Sequence, residues 1–74
     1  MTKPAPQMSP QRRNVLAYYR AYWKAAGSSP PLHAALAHLG GTRQNLHLHL
    51  TALVTQGYLA HLTAGYRPTR KALL

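Results

Sequence analysis

The sequence predicts a small, mainly α domain closed by a β-hairpin, an α+β fold, on three observations. Three segments carry apolar residues at steps of three and four between residues that start and stop helices. They are followed by a short alternating run, a glycine turn and a second short run. With 74 residues, the chain can bury one modest core and not a second. Residues 1–8, "MTKPAPQM", hold two prolines and read as a flexible tail, which leaves 9–74 as the domain.

The first helix opens at "SP", with Ser9 as N-cap and Pro10 in the first helical position. Val15, Leu16, Tyr19, Tyr22, Trp23 and Ala26 then form an apolar stripe, and Gly27 stops the helix. Arg13, Arg20 and Lys24 gather on the polar side. "SSPP", 28–31, is a turn into a second helix, "LHAALAHL", which sets Leu32, Ala35, Leu36 and Leu39 on one side and ends at Gly40–Gly41.

The third segment is ambiguous at first sight. In "NLHLHLTAL", 45–53, leucine and histidine alternate with a strand's period of two. With a helical period, Leu46, Leu50 and Leu53 share a stripe and Leu48 points away alone. Fourteen residues separate the capping Thr42 from Gly57, too many for an ordinary strand, and Val54 continues the helical spacing. A helix over 42–57 is therefore expected. "YLAHLT", 58–63, reads as a strand, "AGY" as its turn, and "RPTRKALL", 67–74, as the returning strand with Pro68 near an edge.

Nine Lys and Arg stand against no Asp or Glu, a net charge of +9. Such an excess points to a polyanionic partner, nucleic acid first and an anionic membrane second. The lack of any side-chain carboxylate removes the usual means of orienting a histidine, relaying a proton or binding magnesium, so an enzyme is not expected. Without cysteine there is neither a disulfide nor a thiolate metal site. The five histidines, His33, His38, His47, His49 and His61, lack the three- or four-residue spacing that sets two ligands on one helical face, and no metal or cofactor is expected. Nothing at the N-terminus resembles a signal peptide and no apolar run is long enough to span a membrane. A soluble cytoplasmic protein, associated with the nucleoid, is the expectation.

The order of elements, with "LGGTRQNLHLHLTALVTQGYL" at its centre, resembles the winged helix-turn-helix domain of bacterial repressors. Its landmarks are the "LG" before a polar-capped helix, the "HL" and later leucine within it, and the "GYL" that leads into a hairpin. The likeness is nearest to the N-terminal domain of LexA-type repressors, with "SPQRRNVLAYYRAYW" as first helix and "GSSPPLHAALAHLG" as turn and second helix, over roughly residues 9–74. Ala34 departs from the pattern, standing where such domains carry a glutamate able to complete a capping box. The sequence ends where the self-cleaving dimerisation domain of those repressors would begin, so a homodimer would have to form through other surfaces. The terminal "ALL" and the aromatic face of the first helix are the candidates.

The resemblance implies three helices followed by a two-stranded wing, with the third helix in the major groove of double-stranded DNA. Gln44, Asn45, His47, Leu48 and Thr51 are then the base and groove contacts: an amide reads adenine, and Leu48 meets a thymine methyl. Arg12, Arg13, Thr42, Arg43, Arg67, Arg70 and Lys71 are the backbone contacts, the last three from the wing. His49, Trp23 and the tyrosines read instead as packing residues. The implied function is a sequence-specific transcriptional regulator, a repressor acting by occupancy. Nonspecific DNA coating and clamping of an acidic protein surface are the alternatives that charge alone allows. No small-molecule ligand is expected.

Overall fold

The computed structural model describes residues 9–63 and 65–73; the tail expected over 1–8, together with Ala64 and Leu74, lies outside the described residues. Three helices, α1 (Pro10–Ala26), α2 (Leu32–Leu39) and α3 (Arg43–Thr55), precede an antiparallel hairpin of β1 (Leu59–Leu62) and β2 (Gly65–Pro68). A single helical turn, α4 (Arg70–Leu73), follows it.

Local chemistry sets the helix ends. The Ser9 hydroxyl accepts from the Arg12 N–H at 3.1 Å, and that of Thr42 accepts from the Asn45 N–H at 3.1 Å. Each satisfies one of the donors that a helix start leaves without a partner. Helix α2 begins after Pro31 with no side-chain cap. Gly27 closes α1 with a left-handed backbone (φ 71°), its N–H donating to the Trp23 carbonyl.

The core joins Val15, Leu16 and Tyr19 of α1 to Ala35 of α2, Leu46, Leu50 and Leu53 of α3, and Leu59 of β1. This resolves the ambiguous segment as a helix. Leu46, Leu50 and Leu53 are at most 3 % exposed, whereas Leu48 is 58 % exposed. Burying one such leucine contributes roughly 1.5–3 kcal/mol, far more than any helix propensity in the segment. Only the methyl side chain of Ala35 is fully buried in α2.

Four residues of the expected apolar stripes lie outside the core: Tyr22, Trp23, Ala26 and Leu32. Ala26 is exposed, because burial along α1 falls from Tyr19 through half-buried Tyr22 and Trp23 to its last turn. Leu32 is 37 % exposed in the first turn of α2, where it borders a cleft instead of the core.

The returning strand is also shorter than expected. It pairs Leu59 with Pro68, Ala60 with Arg67, His61 with Tyr66 and Leu62 with Gly65, and ends there. One further rung, from the Thr69 N–H to the Tyr58 carbonyl at 3.0 Å, exhausts the partner strand. Beyond Tyr58 the facing chain is the end of α3, which offers no ladder, so residues 70–73 close into α4. Arg70 and Lys71 therefore belong to that turn and not to the hairpin. Burial in β1 follows distance from the core more than the alternation of faces: Leu59 is buried, while His61, on the same face, is exposed.

Aromatic rings tie the layers together. Tyr18 stacks on His38 of α2 at 4.6 Å and meets Tyr19 edge-on at 5.9 Å. Tyr19 meets Tyr66 of β2 edge-on at 6.2 Å, and Tyr66 lies 4.9 Å from His61. The ring chain thus runs from α2 through α1 to the hairpin. A polar latch lies beside it: the Tyr66 N–H donates to the Ser29 hydroxyl at 3.0 Å, fastening the α1–α2 turn to the hairpin. Gly65 makes this approach possible, since a Cβ there would overlap the Ser29 side chain and its φ of 145° is a glycine conformation.

Gly65→Ala should cost roughly 1–3 kcal/mol in urea denaturation followed by Trp23 fluorescence. In a Ser29→Gly background, the part of that loss due to overlap should disappear. Tyr19 supplies a second check. Burial, with Tyr66 and Tyr18 adding to it, pushes its hydroxyl up to about 12. The unfolded chain ionises at the ordinary value near 10 while the folded chain keeps its proton, so stability should fall as pH rises from 10 toward 12. In ultraviolet titration, Tyr19→Phe should remove a late-ionising tyrosine.

Candidate nucleic-acid interface

Once Leu46, Leu50 and Leu53 turn inward, the opposite face of α3 is fixed by the helical period. Gln44, Leu48, Thr51 and Thr55 follow one another at steps of four, three and four, and all are exposed. Leu48 lies within this stripe and is the most exposed large apolar side chain described. A helix surface presenting an isolated leucine among amide and hydroxyl groups can offer hydrogen bonds and one apolar contact to a surface that enters between them. Thr55 was not among the expected contacts. Its four-residue step from Thr51 was the available signal.

The remaining expected α3 residues divide between two flanks. Arg43 and His47, one helical turn apart, are exposed on the side facing the hairpin, and with Gln44 they line a cleft against Ser29, Leu32 and Tyr66. Asn45 is exposed on the other flank. It borders an open hollow of about 750 Å³ with Gln11, Asn14, Tyr18, His38 and His49. It is therefore separated from the central stripe that carries Gln44 and Leu48. Thr42 is exposed, but its hydroxyl is engaged in capping α3.

The cations play different parts. Arg13 is exposed beside Arg20 and Lys24 on the outer stripe of α1, Arg67 is exposed on β2, and Arg70 is exposed on α4. Arg12 is half-buried, and its Nε donates to Nδ1 of His49 at 3.4 Å, which holds the guanidinium against α3. Lys71 is exposed but engaged with its own fold. Its Nζ donates to the Gln56 carbonyl at 2.9 Å and lies 4.6 Å above the Tyr58 ring. A cation at a helix C-terminus opposes the partial negative charge of its free carbonyls, and the ring face adds a further attraction. Of the expected backbone contacts, Arg13, Arg43, Arg67 and Arg70 present exposed cationic side chains with no hydrogen bond to another described residue, Arg12 is half-buried against His49, and Lys71 is exposed but tethered to the end of α3.

Among the described residues no three histidines come together, and no helix is long and apolar enough to cross a membrane. No family model and no curated protein matches this sequence.

Lys71→Met keeps the side chain's stem and removes its charge. The substitution should lower stability by about 1 kcal/mol through loss of the α3 cap and the ring contact. Arg70→Met, one position earlier and exposed, should leave the urea midpoint within about 0.5 kcal/mol of the parent.

Proposed function

We propose that the protein is a double-stranded-DNA-binding transcriptional regulator of the winged helix-turn-helix kind, a repressor that acts by occupying its site. One observation carries the reading: in a chain with nine cations and no acidic side chain, α3 turns a stripe of Gln44, Leu48 and Thr51 to solvent. Amide, methyl and hydroxyl groups on an exposed helix are the groups that read base edges in the major groove. In this reading Gln44 and His47 make polar base contacts, Leu48 meets a thymine methyl, and Arg43 rests on a phosphate at the groove edge. The hairpin carries Arg67 to the backbone beside α3, and Arg13 adds charge from α1.

A second reading, nonspecific coating of DNA, is favoured by the spread of exposed cations over α1, α3, the hairpin and α4. Selection from a random duplex library at about 0.15 M salt separates the two, because screening suppresses purely electrostatic attraction. A recovered motif supports the repressor. Retention without a motif supports coating. Absence of binding to duplex DNA even at low salt overturns both and turns the search toward an acidic protein.

With a motif in hand, Gln44→Ala should reduce discrimination at one base pair by about 1–3 kcal/mol, measured by fluorescence anisotropy on matched and mismatched duplexes. Arg67→Ala should instead weaken all duplexes alike and reduce the slope of log K against log salt by about 0.9.

A further inference from the structure

The cleft between the start of α3 and the hairpin has a volume of about 710 Å³, within the range of small-molecule sites. Its apolar lining includes Tyr19 and Leu50, each 2 % exposed, together with buried Pro30, the Tyr66 ring and Leu32. Among the described residues Leu32 is one of two large apolar side chains left exposed, and a ligand in the cleft would cover it. The polar groups converge on one wall, where Arg43, Gln44 and His47 come from consecutive turns of one helix face. None of these three side chains is hydrogen-bonded to another described residue, and the sequence contains no Asp or Glu side chain to compete for them. The walls are set in place by the Ser29–Tyr66 latch, so the cleft is formed before anything enters it.

An apolar lining with a guanidinium and an imidazole on one side is complementary to a flat apolar body bearing one anionic group. We propose that this cleft binds a small aromatic carboxylate, its ring against Tyr66 and Leu32 and its carboxylate on Arg43 and His47. No such ligand was expected from the sequence, where these cleft residues lie scattered between positions 19 and 66. The site also has a regulatory consequence, which rests on the DNA-binding reading above. Arg43, Gln44 and His47 cannot hold a carboxylate and face DNA at the same time, so the ligand and the duplex exclude each other.

The test uses sodium 1-naphthoate as probe and 1-naphthalenemethanol as its uncharged counterpart, titrated into the full ¹⁵N-labelled chain at about 0.1 M salt. Naphthoate should give saturable amide shifts centred on Gln44, His47, Gly65 and Tyr66, and the alcohol should bind about tenfold or more weakly. Arg43→Gln with His47→Gln should bring naphthoate down to the level of the alcohol, the spectrum itself reporting that the fold is kept. Shifts that never saturate, shifts spread equally over Arg13, Arg20 and Lys24, or equal affinity for acid and alcohol would each overturn the site.

A DNA arm keeps the two proposals separate. Naphthoate should raise the apparent Kd for the selected duplex in the parent protein. Naphthoate binding with no DNA binding leaves the cleft standing and removes the repressor. DNA binding with no saturable naphthoate binding does the reverse. If both bind at once without competition, the cleft remains a site and its regulatory role is overturned.

Discussion

Nine cationic side chains with no acidic side chain to neutralise them repel one another, and no ion pair between side chains can offset that repulsion. Cohesion has to come from apolar burial, which is why the structure depends on the contact between α1 and α3. Leu46, Leu50 and Leu53 close onto Val15, Leu16 and Tyr19, with Ala35 and Leu59 completing the cluster. Tyr19 is central to this arrangement. Its ring is in the core, and its edge contacts with Tyr18 and Tyr66 connect α1 toward α2 and the hairpin.

The absence of side-chain carboxylates also changes how cations are tethered to the fold. Arg12 donates to an imidazole nitrogen, and Lys71 donates to a backbone carbonyl beneath a tyrosine face. These neutral acceptors and π faces take the place of ion pairs, and they order the start of α1 and the end of α3 without cancelling charge. Arg13, Arg20, Lys24, Arg43, Arg67 and Arg70 are exposed, and Lys71, though tethered, is exposed with them. The surface therefore keeps an unneutralised cationic field around the outward stripe of α3, which is the physical basis of the DNA-binding proposal.

The hairpin contributes position more than bulk. The Ser29–Tyr66 hydrogen bond and the Gly65 backbone bring its turn against the α1–α2 turn, and this leaves a cleft beside Arg43 and His47. The proposed aromatic-carboxylate site and the proposed DNA face meet at these two residues. Coupling between them needs no second domain and no movement through the core, because one set of side chains would serve both ligands.

The three helices and their ends were legible because each signal is local: caps at Ser9 and Thr42, a left-handed glycine after α1, and leucines at helical steps. The long interval between Thr42 and Gly57 and the continuing apolar spacing favour a helix, and the inward and outward faces of α3 follow from that period. Other features required the tertiary structure. The end of β2 depends on where its partner strand runs out, so the split of "RPTRKALL" between strand and helix is not written in that segment alone. The commitment of Lys71 to the end of α3 and of Arg12 to His49 joins residues 15 and 37 positions apart. The cleft depends on Gly65 lacking a side chain beside Ser29, 36 positions earlier. Periodicity and capping are properties of neighbouring residues, and the sequence determines them directly. Strand length, the use of individual cations and the shape of a cleft depend on which distant groups packing brings together, and only the folded chain decides those.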